Sequence, residues 1–169
     1  MSNTIAPSAI DAGPDLICRD KNYLLATWRR LVIVVWKGDT TLESVKRVGE
    51  VIHSSARRLG PVGLFIVTDV TAPLPPAVVR KTAASILATG PIAYFCVTFE
   101  GNGFRAAAVR GVVTSIAMLA SMAFPHRAFS KINEAGAWVS EQTRHDGAMR
   151  IHPIGLAAVL DNLRSASNT

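Results

Sequence analysis

Apolar residues along this chain recur in two rhythms that alternate with each other. Tyr23–Trp28 and Leu31–Trp36 are short runs of β-favouring residues, the second containing Leu-Val-Ile-Val-Val, a composition suited to a pleated, buried surface. They predict a hairpin, although Trp28-Arg29-Arg30 between them supplies neither Gly nor Asn. Gly38-Asp39 closes the second run. Thr40-Thr41-Leu42-Glu43 then fits a capping box in which Thr40 caps a helix and Glu43 reaches back. Leu42, Val45, Val48, Ile52, Ala56 and Leu59 follow at spacings of three and four, with Glu43, Lys46, Arg47, Glu50, Arg57 and Arg58 on the other side. That period predicts an amphipathic helix with one face on a sheet, stopped by Gly60-Pro61.

The next segments lose the alternation. Gly63–Val70 is almost continuously apolar, as in a strand covered on both faces. A proline-rich loop, residues 71–76, leads to a helix with Val79, Thr82, Ala83, Ile86 and Leu87 on one side, ended by Gly90-Pro91. Ile92–Phe99 is a second buried strand containing Cys96, and Glu100-Gly101-Asn102-Gly103 turns the chain into a third helix from Phe104 to about Ala123. This helix is apolar nearly all round: Phe104, Ala108, Val112, Ser115, Leu119 and Met122 form one stripe, and Val109, Val113, Ile116, Ala117 and Ala120 another. Such a helix must be covered on more than one side. Pro125 precedes a short strand, His126–Phe129, then comes a helix from Ile132 to about Thr143 with Trp138 inward. A tail helix carries Leu156, Val159, Leu160 and Leu163.

The order is ββαβαβαβα plus a tail helix. Strands alternating with helices imply crossover connections, hence an α/β fold with a largely parallel sheet and an antiparallel first strand. The organisation expected is a loose leader over residues 1–20, one domain over 21–145 and a tail over 146–169.

Composition narrows the class. With 169 residues, 49% apolar and 18% charged, the chain suits one folded domain. Two cysteines are too few for a disulfide framework. The N-terminus has no secretory pattern, and the apolar stretch Gly111–Phe124 falls short of the roughly 18–20 residues of a membrane span. A cytoplasmic protein with no integral membrane segment is the expectation. The net charge is +6, but the basic residues are scattered singly and in pairs without aromatic interleaving. That pattern reads as a solvated face and gives no sign of nucleic-acid binding.

The element order, the strand-Gly-Asp-Thr-Thr-Leu-Glu-helix opening and the closing segment His126–Val139 resemble the SpoIIAA-like members of the STAS superfamily, over about Tyr23 to Glu141. The resemblance implies a STAS-like sheet with helices packed on it. In the anti-sigma antagonist branch of that superfamily, an Asp-Ser-Ser-Gly-like motif after the central strand carries a phosphorylated Ser. The matching stretch here, Asp69–Pro76, has no Ser and no Gly, and Thr71 is its nearest hydroxyl. Binding of small apolar or lipid-like ligands is a further implication of the resemblance.

Candidate chemistry is sparse. Gly101-Asn102-Gly103-Phe104-Arg105-Ala106 fits G-x-G-x-x-[GA] between a strand and a helix, where backbone N–H groups and Arg105 could cradle a phosphate. Glu100 beside it opposes an anion, and glycine's conformational freedom is the plainer reason for the motif. The four histidines have no metal-ligand spacing, and no nucleophile elbow or carboxylate pair appears. No cofactor, metal or catalytic residue is expected. The third helix is the main lead, its stripe of Val109, Val113, Ile116, Ala117 and Ala120 being covered by the tail helix, a second copy of the chain or an apolar ligand. The leading expectation is a non-catalytic, regulatory or scaffolding interaction module that homodimerises through this stripe. The alternative is a binder of a small apolar ligand held between the third helix and the sheet, and phosphate binding at 101–106 ranks below both.

Overall fold

The computed structural model describes residues 13–166 and shows an α/β fold around one six-stranded mixed sheet. In chain order the elements are β1 (Asp15–Arg19), β2 (Tyr23–Trp28), β3 (Leu31–Trp36), α1 (Leu42–Leu59), β4 (Val62–Thr68) and α2 (Ala77–Thr89). They continue with β5 (Ile92–Phe99), α3 (Gly103–Ala120), β6 (His126–Phe129), α4 (Ile132–Gln142), a short 3-10 turn (Gly147–Met149) and α5 (Pro153–Ala166). The strands lie in sequence order across the sheet; β1–β2 and β2–β3 pair antiparallel, and β3 through β6 run parallel.

That order dictates the layers. Three successive right-handed crossovers that step in one direction across a sheet place their helices on the same face. The core on that side joins Val48 and Ile52 of α1, Ala84 and Leu87 of α2, and Ile116 and Ala120 of α3 to Leu25, Val34, Leu64 and Phe95 of the sheet. The other face would expose Ile33, Phe65 and Cys96, so the chain beyond β6 crosses back over it: Ala135 and Val139 of α4 and Leu156, Leu160 and Leu163 of α5 seal it.

Four readings of the sequence need correction. β1 lies inside the segment taken as a leader; residues 13–20 contribute an edge strand, and residues 1–12 fall outside the described part. The tail helix covers the second sheet face beside α4, and so does not lie over α3. The α1 cap is one residue later than the pattern suggested. Thr41 Oγ1 accepts from Ser44 N at 3.1 Å and Ser44 Oγ accepts from Thr41 N at 3.0 Å, so a short hydroxyl pair does the work assigned to Thr40 and Glu43. α3 ends at Ala120, with Ser121 in the left-handed region at φ 47°.

The hairpin without a turn residue is explained by the far end of the chain. Arg29 occupies φ 54°, a conformation that costs most side chains energy. Its Nη1 donates to the carbonyls of Ala148 at 2.6 Å and Arg150 at 2.8 Å, tying the β2–β3 turn to the segment that leads into α5. Arg30 adds a bond to the Pro61 carbonyl at 2.8 Å and an ion pair with Asp146 at 3.8 Å. Thr143 completes the junction, its buried hydroxyl donating to Val139 O and accepting from Ile151 N, each at 3.0 Å.

Candidate functional site

Between the sheet and the α1–α3 layer lies a cavity of about 120 Å³. Its origin is in the side chains. α2 turns Ala83 and Ile86 toward it and α3 contributes Val109, Val112 and Val113; chains this short do not fill the space between a helix layer and a sheet. Val34, Leu64 and Phe95 form the floor and Ile52 and Ile116 the walls. The proline-rich loop covers the end nearest the carboxyl termini of β3 and β4, where Ala72, Pro73, Leu74 and Pro75 all face the space. Open parallel sheets place their ligand sites at this edge. Among the described residues, Thr40, Thr68 and Arg80 line the cavity with polar side chains, beside the largely apolar indole of Trp36.

The start of the loop is held from two sides. Asp69 Oδ1 accepts from the backbone N and the hydroxyl of Thr71, each at 3.0 Å, and Ala72 N donates to Asp69 O at 3.1 Å. From the other side, Arg105 Nη2 donates to the Ala72 carbonyl and links the start of α3 to the cover. Replacing Arg105 with Ala should therefore raise hydrogen exchange at the Ala72 amide by roughly threefold to tenfold, the span of one net hydrogen bond of ~0.5–1.5 kcal/mol. Unchanged protection would mean that the packing of Ala72 alone closes the loop.

The stripe expected as an association face divides between an inner and an outer side of α3. Val109, Ile116 and Ala120 are buried, and Val113 and Ala117 half-buried. Of these, Val109, Val113 and Ile116 line the cavity, while Val113 and Ala117 also border a surface groove between α3 and β6. The outward side carries Phe104, 91% exposed, with Met118 and Leu119 also exposed. A wide surface groove of about 520 Å³ runs beside that side, between α3 and β6, past Arg110, Met118, His126 and Arg127. Over its 18 residues α3 has a mean hydropathy of 1.3. By length and composition alone it is the one helix among the described residues fit to cross a membrane, a window wider than the stretch after Arg110 weighed from sequence.

No family model matches the chain, and no curated protein or solved structure matches it.

The glycine turn has a backbone explanation. Gly103 adopts φ 70°, and a Cβ on Gly101 would meet the Phe99 ring at 2.5 Å. Asn102 makes no side-chain cap, Arg105 is committed to Ala72, and Glu100 pairs with Arg164 of α5 at 3.1 Å. Thr71 is exposed, with its hydroxyl given to Asp69. All four histidines are exposed, and among the described residues no cluster of three or more His, Cys, Asp or Glu could hold a metal ion. Cys96 is buried in β5, where loss of solvation pushes its thiol up to about 12, well away from thiolate chemistry at neutral pH. Tyr94 is likewise raised, first by burial and then by the Asp146 charge; its Oη is buried without a partner on the sheet face opposite the cavity.

Arg80 and the two threonines were absent from the sequence-derived candidates. Nothing in a single sequence marks Arg80 apart from the neighbouring Lys81; its position in the first turns of α2, immediately after the loop, is the signal available in retrospect.

Proposed function

We propose that this protein is a non-catalytic binding module whose site is the cavity beneath α1–α3, and that it holds a small apolar ligand there. The observation that carries the reading is the cavity's size and lining. Packed interiors leave few voids larger than a water molecule, and an apolar cavity of about 150 Å³ stays dry and takes up benzene. A space of about 120 Å³ walled almost wholly by aliphatic and aromatic carbon is of that kind. The resemblance to SpoIIAA-like STAS proteins points the same way, since small apolar ligands are an implication of that fold.

Toluene is a suitable probe. A ligand that binds only the folded state stabilises it by mass action, by about 2.7 kcal/mol at a concentration one hundred times Kd. Toluene is expected to raise Tm with concentration, and Ala83→Leu, which fills part of the cavity, is expected to abolish the rise while leaving the unliganded chain folded. A Tm indifferent to toluene over its soluble range would refute the reading.

Association with a protein partner is a second reading, favoured by the exposed Phe104, Met118 and Leu119 on the outer side of α3. It occupies a different surface and is compatible with a filled cavity.

A further inference from the structure

We propose that the ligand of this cavity is a small apolar carboxylate: its carbon body fills the interior, and its anionic head pairs with Arg80 at the mouth. The inference rests on the binding reading above and names the chemistry of what binds.

The polar groups of the site are all at one end. Thr68 is the last residue of β4, Thr40 lies just beyond β3, and Arg80 sits in the first turns of α2, the helix that follows β4. The opposite end, around Leu64, Leu87, Phe95 and Ile116, is entirely apolar. A molecule that satisfies both ends is amphipathic, with one short polar terminus.

The sign of that terminus follows from the charges present. Arg80 is the one charged residue lining the cavity among the described residues. It is half-buried, and among the described residues no ion pair or side-chain hydrogen bond uses its guanidinium. A long side chain of this kind lays its stem along apolar surface and keeps its charged head in water, so at the mouth the guanidinium is available to an anion. Thr40 and Thr68 offer hydroxyls that make no hydrogen bond among the described residues. The start of α2 adds to the same field. Its N-cap is Pro76, with no side-chain cap, and its first turn carries no acid to offset the exposed N–H groups.

Geometry and volume favour a carboxylate. The planar guanidinium fork matches two oxygens on one carbon, and hydroxyl donors complete the remaining lone pairs. A space of about 120 Å³, open at the mouth, admits a single ring or a chain of about six carbons.

The test compares benzoate with benzyl alcohol, which has the same ring and a neutral head, on the full-length chain by calorimetry. Wild-type protein is expected to bind benzoate at least about tenfold more tightly, as a charge-assisted bond in place of a neutral one requires. Arg80→Met keeps the apolar stem and leaves no orphaned partner. It should erase the preference while preserving benzyl alcohol affinity; Arg80→Lys should keep part of the preference. Equal affinity of the two probes for the wild type would overturn the carboxylate while leaving the cavity reading standing. A benzoate preference that survives in Arg80→Met would overturn the role of Arg80. Binding of neither probe would overturn the carboxylate and, together with an absent toluene response, the cavity reading as well.

Discussion

A chain ending at Arg150 will not fold. Removing residues 151–169 takes away Ile151, Leu156, Val159, Leu160 and Leu163, all buried against the second face of the sheet. Each such side chain is worth about 1.5–3 kcal/mol when withdrawn from water. Together they match the whole net stability of an ordinary domain, about 5–15 kcal/mol. The truncation also uncovers Ile33, Phe65 and Cys96, none of them accessible in the intact fold, and leaves the Thr143 hydroxyl without the Ile151 amide. Circular dichroism and urea titration should show no cooperative transition in the shortened chain. Leu160→Ala, a milder probe of the same contact, should lower stability by about 2–5 kcal/mol with little change in the denaturant slope. A truncated chain that unfolds cooperatively near the full-length midpoint would return α5 to the status of a dispensable tail.

That tail reading shows where one-dimensional reasoning stopped. α1 was legible because its polar and apolar sides alternate with the helical period, and β4 and β5 because strands buried on both faces read as unbroken apolar runs. The parallel order followed from the alternation of strands and helices. β1 was hidden because an edge strand needs only one neighbour: Leu16 and Ile17 remain exposed, and Cys18 is half-buried. The hairpin turn was hidden because what stabilises Arg29 at positive φ is a pair of carbonyls about 120 residues further on in the chain.

The side of the sheet taken by α5 was deducible but required topology. Leu24, Ala26 and Ile33 point away from α1–α3 and are as apolar as Leu25 and Val34, which point toward them. Both faces therefore need cover, and only the segment after β6 remains to supply the second. A ligand held between α3 and the sheet is an expectation of the sequence, but the size and lining of the cavity are not legible there, because it is a deficit of volume spread over Ala83, Val109, Val112 and Val113 on two helices. The second apolar stripe of α3 allows cover by the tail helix, a second copy or an apolar ligand, and of these the tail helix packs on the other sheet face. A helix apolar all round does not state which side faces the sheet.

Replacing Ile116 with Glu discriminates the two sides of α3 directly. Were this stripe an outer association surface, the substitution would dissociate a dimer into stable monomers. Ile116 is instead only 9% exposed, wedged among Phe95, Leu87 and Val113 at the wall of the cavity. A carboxylate placed there loses its hydration and has no cation beside it among the inner residues, since Arg80 stands at the far, polar end. The expected penalty is on the order of 3–5 kcal/mol, the scale of an uncompensated buried charge. Urea denaturation should show it as a large fall in midpoint, and toluene binding should disappear with it. Ile116→Val removes one methylene and should cost only about 0.5–1.5 kcal/mol. Leu119→Glu changes an exposed outer residue by the same chemistry and should move stability by no more than about 0.5 kcal/mol. If α3 does meet a partner, that outer substitution is the one that weakens the association, read by sedimentation velocity. An Ile116→Glu protein as stable as wild type would overturn the inward placement of the stripe, and with it the walls of the proposed site.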